Sequence, residues 1–158
     1  MATQALNVTN PDFKTKNGIS AADRKKVADA LGVVLADTYM LFIKTQGVHW
    51  NVTGPTFMGV HTLTEEQYEN MYQAIDGLAE RIRALGHKAP ASYTKYGELS
   101  SIRDKDEVQT VQQMLDMLAK DIGGVKKETT ADDDPVIENY VAKKTVSTFV
   151  DFAGMATL

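Results

Sequence analysis

The sequence predicts an all-α protein, four amphipathic helices packed as a bundle with a long connection between the second and the third. Three observations point there. Apolar residues recur at three- and four-residue steps in four separate stretches; helix start and stop signals bracket most of those stretches; and about twenty residues holding Pro90 and Gly97 separate the second stretch from the third. The 158 residues, 43% hydrophobic and 24% charged, suit one globular domain able to bury a sizeable core. No linker-like composition break, internal repeat or low-complexity segment divides the chain.

Taken in order, residues 1–19 are polar, carry the turn formers Asn10-Pro11 and Asn17-Gly18, and read as a flexible N-terminal arm ahead of a bundle domain over 20–158. Ser20 is placed to N-cap a first helix over about 21–46, with Val27, Leu31, Val34, Leu41 and Phe42 on its apolar stripe. Gly47 to Pro55 is expected to break it. A second helix is predicted from about Thr56 to Leu85, its core stripe made of Phe57, Val60, Thr64, Tyr68, Met71, Ile75, Leu78, Ile82 and Leu85, with Gly86 in the C′ position that ends it. Residues 86–105 then form the connection, with a short helix expected in the SYTKYGELSSI segment because a structureless stretch of that length is unusual in a compact domain. Val108, Val111, Leu115, Leu118, Ile122 and Val125 mark a third helix whose end Gly123-Gly124 should weaken. Asp134 and Pro135 supply the N-cap and first residue of a fourth, through about Ala156. One long central connection fits a ferritin-like bundle better than an up-down one.

The totals exclude several classes. There is no cysteine, so neither a disulfide framework nor a thiolate metal site exists, and a cytoplasmic location is the default expectation. The N-terminus lacks the basic and apolar regions of a secretory signal, and no run of about 18 apolar residues could span a bilayer. A net charge of −4 argues against a generally basic nucleic-acid surface. The charge is uneven, with residues 1–26 net positive and the remainder acidic.

The chemistry concentrates on the second helix. His61/Glu65 and Asp76/Glu80 are each i,i+4 pairs, and at 100° per residue positions 65 and 76 differ by about 20°, so all four share one stripe. The pairs stand about 16 Å apart along the axis, too far for one straight helix to close a site around bonds of about 2 Å. Their spacing is palindromic. A second, antiparallel copy of the helix, with a dyad between Asn70 and Met71, would set His61/Glu65 of one chain against Asp76/Glu80 of the other. Met58, Tyr72 and Ala79 share the stripe, which suggests a partly buried polar surface whose carboxylates need a cation or donors. The Glu-x-x-His motif that holds metal inside a ferritin-like bundle is missing, since none of His49, His61 and His87 follows a Glu by three positions.

The run His49-Trp50-Asn51-Val52-Thr53-Gly54-Pro55, then His61, EEQY from Glu65 and AERIRALG from Ala79 resembles the Dps family, the miniferritins. That resemblance implies an inter-subunit di-iron ferroxidase centre, with His49, His61 and Glu65 from one subunit and Asp76 and Glu80 from its two-fold mate. It also implies oxidation of Fe(II), by hydrogen peroxide in preference to oxygen, storage of ferric mineral in a shell of twelve subunits, and protection of DNA from oxidative damage. Imidazole and carboxylate with open positions suit iron independently. Glu65 stands where many members carry Asp and reaches one methylene further. Helix three has Ile122-Gly123, and helix four VAKKTVSTF, where relatives tend to differ, which bears on shell contacts and pores. The alternative from another class is a DNA-compacting or structural shell protein with a vestigial centre.

Trp50 is a redox-aromatic candidate as well as a packing residue. Asp116 and Asp121 read as solvated acids that could line a pore, and His87 as a surface loop residue. For DNA, only Lys14 and Lys16 precede the first helix and the last twelve residues hold no basic residue, so direct binding at physiological salt is weakly supported and nucleoid association rests on the resemblance alone.

Overall fold

The computed structural model describes residues 18–103 and 110–130, and these contain three long helices and one short one. α1 spans Ala21–Asn51, α2 Phe57–Ala84, α3 Tyr93–Leu99 and α4 Val111–Thr130. The all-α architecture expected from the sequence is the one found among the described residues. Residues 1–17 of the arm predicted over 1–19, and the fourth predicted helix over 135–156, lie outside the described residues.

Ser20 caps α1 as expected, its hydroxyl accepting from the Asp23 amide. The predicted stop at Gly47 is wrong: α1 continues to Asn51 and ends where Val52 turns extended ahead of Thr53-Gly54-Pro55, Gly54 taking φ +90°. A helical glycine costs only about 1 kcal/mol relative to alanine, and burial of Thr45, Val48 and His49 around it offsets that cost. The consequence is functional, because His49 and Trp50 are helix residues. α2 ends in a Schellman motif, Gly86 donating to the Arg83 carbonyl and His87 to that of Ile82, with Gly86 at φ +88°. His87 is half-buried there rather than fully exposed. The short helix in the connection forms, capped by Ser92, and α4 runs through Gly123-Gly124 without ending.

α1 and α2 are antiparallel, as two apolar clusters record. Val27, Ala28, Leu31, Val34 and Leu35 pack against Leu78, Ile82 and Leu85, while Leu41, Val48 and Val52 pack with Val60, Met71, Ile102 and Leu118. At about 1.5–3 kcal/mol for each large aliphatic side chain removed from water, these two seams dominate the favourable side of folding. Two polar anchors on α1, Asp37 and Lys44, fix the remaining elements. The fully buried Asp37 carboxylate accepts from the Ser100 hydroxyl (2.6 Å), the Ser101 amide (2.7 Å) and the Ser101 hydroxyl (2.9 Å), holding the end of the connection on α1. The Lys44 ammonium reaches Asp121 of α4 at 2.6 Å and the Arg103 carbonyl at 3.1 Å. Asp121 is therefore a largely buried ion-pair partner, not the solvated acid its sequence context suggested; Asp116 accepts from Gln112 and stays exposed.

Candidate metal centre

Because α1 overruns Gly47, its last turn brings His49 against the first turns of α2. The two imidazoles stack with ring centroids 3.7 Å apart and planes 17° from parallel. Each ring is held by the other residue's backbone: His49 Nδ1 donates to the His61 carbonyl and His61 Nδ1 to the His49 carbonyl, both at 2.9 Å. A carbonyl oxygen can only accept, so both Nδ1 atoms carry a proton, and in the neutral rings the lone pair is left on Nε2. That is the tautomer a metal-binding imidazole needs, fixed by the hydrogen bond its other nitrogen makes. The His49 carbonyl belongs to the last turn of α1, among the acceptors that a helix end leaves to outside donors, and His61 supplies the donor.

The pair is packed on both sides. Phe57 stacks on His61 at 4.9 Å and Tyr68 meets His49 edge-on at 5.2 Å. The Thr64 hydroxyl, which donates to the Val60 carbonyl, lies 3.5 Å from His49 Nδ1. Desolvation first, then the negative charges of Glu65 and Glu69, hold the Tyr68 phenol above its ordinary range.

The three acids predicted as ligands lie on the same helix as His61, and all are exposed: Glu65, Asp76 and Glu80. Among the described residues of a single chain, no three His, Asp or Glu side chains come together as a metal site. The structure thus gathers two of the five predicted ligands, His49 and His61, and leaves the acids on an open surface. Met58 and Trp50, each 68% exposed, and Tyr72, 70% exposed, share that condition. Trp50 is therefore not a core side chain among the described residues. The sequence reading missed the reciprocal histidine clamp and the buried Gln67 of α2; only a correct end for α1 would have suggested the first.

Residues 28–131 match the family model described as a ferritin-like domain. The chain belongs to the ferritin-like family. Within it, the chain is a Dps family member, and several of its solved relatives carry that name. It is 38% identical over 97 residues to DNA protection during starvation protein 2 of Bacillus anthracis, covering 61% of this chain and 66% of that one. The Mycobacterium smegmatis Dps structure superposes with a TM-score of 0.73 at 30% identity, covering 90% of this chain and 87% of that one. The Vibrio cholerae Dps structure, described as one of a superfamily of ferritin-like diiron-carboxylate proteins, gives 0.72 at 22% identity, with 88% and 87% covered, and supports the fold. The chain spans between 56% and 66% of the length of the curated relatives it matches. Among the described residues no helix is long and apolar enough to cross a membrane.

Proposed function

We propose that this Dps family protein oxidises Fe(II) at two equivalent centres per two-fold dimer and stores the ferric product in a hollow homo-oligomeric shell, protecting DNA by removing iron and peroxide together. The observation that carries this reading is the reciprocal Nδ1-to-carbonyl clamp on the stacked rings of His49 and His61, which leaves Nε2 of each neutral imidazole as the nitrogen able to bind a metal. Iron is the substrate. His49, His61 and Glu65 of one subunit would bind it with Asp76 and Glu80 of the mate, since the palindromic spacing on α2 lets a dyad set each incomplete half against its complement.

Donor chemistry supports the assignment. Imidazole holds Fe(II), carboxylates stabilise Fe(III) as charge builds, and a mixed set with open positions leaves room for an oxidant. Two irons supplying one electron each can reduce hydrogen peroxide to water without releasing a radical. The curated relative's name, a DNA protection protein, and the neighbour's description as a diiron-carboxylate protein agree with this chemistry. A twelve-subunit shell, a cytoplasmic setting and hydrogen peroxide as preferred oxidant are parts of the proposal that follow from the family. Protection of DNA is expected to be chemical rather than by tight contact, the arm offering only Lys14 and Lys16.

The test is Fe(II) oxidation with peroxide, followed by ferric absorbance, in the parent and in a His61→Ala/Asp76→Ala variant. The reading predicts rapid oxidation in the parent and collapse to the protein-free rate in the variant. Equal rates in the two would show a structural shell whose centre is vestigial.

A further inference from the structure

Aromatic rings continue past the histidine pair in an unbroken series that iron binding does not require. His49 meets Tyr68 at 5.2 Å, Tyr68 meets Phe42 at 6.2 Å, Phe42 meets Tyr39 at 6.2 Å, and Tyr39 stacks on Tyr96 of α3 at 4.7 Å with planes 20° apart. The series thus leads from the candidate metal centre, through the half-buried α1–α2 seam, to the connection packed on the far part of α1. Its composition is informative. Tyrosine is, with tryptophan, the aromatic side chain most readily oxidised by one electron, while phenylalanine resists oxidation and serves only as a bridge. Here phenols stand on both sides of one such bridge and end in a stacked pair, an arrangement that lets two rings share a hole.

Resting on the ferroxidase reading above, we infer that Tyr68, Phe42, Tyr39 and Tyr96 form a relay that draws stray one-electron oxidising equivalents away from the histidine pair and deposits them on the Tyr39–Tyr96 stack. The need arises when a centre holds a single Fe(II). One electron then breaks the peroxide O–O bond, giving Fe(III), hydroxide and a hydroxyl radical. The radical takes an electron and the phenolic proton from Tyr68 and becomes water. Tyr68 is refilled by an electron from Tyr39 across Phe42, and Tyr39 by one from Tyr96. Tyr39 and Tyr96 each release the phenolic proton to solvent on giving up an electron, and solvent returns one to Tyr68 and one to Tyr39 as each phenol is restored. In sum, Fe(II), hydrogen peroxide and the Tyr96 phenol give Fe(III), hydroxide, water and a Tyr96 phenoxyl radical. Tyr96 is half-buried and donates to the Pro90 carbonyl at 3.0 Å, so it is tethered at the end of the series and still reaches water.

Tyr93, three residues away on α3 and 85% exposed, is a built-in control. Radicals arriving through solvent would strike Tyr93 before Tyr96; radicals arriving through the relay would do the reverse. The full-length protein is therefore loaded with substoichiometric Fe(II), given hydrogen peroxide in the presence of a nitrone spin trap, and digested for mass-spectrometric mapping of trap adducts, with Fe(II) oxidation followed in parallel. Adducts on Tyr39 and Tyr96 in excess of Tyr93 are expected. They are lost in Phe42→Leu, which removes the bridge but keeps its apolar volume and leaves Fe(II) oxidation in place, and in Tyr68→Phe, which keeps the packing and removes the phenol. Adducts on Tyr93 equal to or above those on Tyr96, or adducts on Tyr96 that persist in both variants, overturn the relay while the ferroxidase reading stands. No Fe(II) oxidation in the parent overturns both.

Discussion

Three residues of this chain have roles that their local sequence does not announce. His49 and His61 clamp each other across two helices, and Asp37 gathers three donors from residues 63 and 64 positions away. Replacing Asp37 with Ala would leave buried donors unpaired and is expected to cost about 3 kcal/mol, seen as a lower thermal midpoint, with Ser101→Ala costing about 1 kcal/mol. The proposed ligands were readable as letters: helical spacing placed His61, Glu65, Asp76 and Glu80 on one stripe, and family resemblance added His49. What the letters could not carry was geometry, because the clamp joins residues twelve apart in the chain through a helix end read four to five residues short. Asp121 failed in the same way, since its partner Lys44 stands 77 positions away.

Among the elements, boundaries set by a positive φ were readable and those set by packing were not. Gly86 at φ +88° closes α2 where its sequence position required; Gly47 has the local propensity of a helix stop but lies inside α1, where burial of Thr45, Val48 and His49 overrides it. The same substitution should therefore act in opposite directions at the two sites. Gly47→Ala meets nothing within 4 Å of its new Cβ and is expected to stabilise by about 0.5–1 kcal/mol. Gly86→Ala forces a side chain into the left-handed region and is expected to destabilise by about 1–2 kcal/mol. Chemical denaturation of the two variants beside the parent checks both signs. α4 passing through Gly123-Gly124 teaches the same lesson, that helical glycines weaken a segment without ending it when an apolar face such as Met114, Leu118 and Ile122 is seated.

At the level of the whole molecule, the all-α bundle was legible in periodicity, and the proposed two-fold assembly rests on the palindrome. Trp50, Met58 and Tyr72 are large apolar side chains open to water on a single chain, beside acids that gather no third ligand among the described residues. Apolar groups left exposed around an incomplete polar site mark a surface that a partner covers. Met58→Glu or Tyr72→Glu would put a charge into that contact, so light scattering should report smaller species than the parent forms, with Fe(II) oxidation lost in step. Unchanged size and rate would place the partner surface elsewhere.

The central claim is that each centre draws on two chains, and subunit mixing tests it most directly. His61→Ala and Asp76→Ala are each expected to be inactive alone. Co-assembled at random from equal amounts, they should regain roughly a quarter of the parent's Fe(II) oxidation rate, because one centre in four would then pair an intact histidine half with an intact acid half across the dyad. Mixed assemblies as inactive as either variant alone, despite demonstrated subunit exchange, would mean that both residues serve within one chain and would contradict the account.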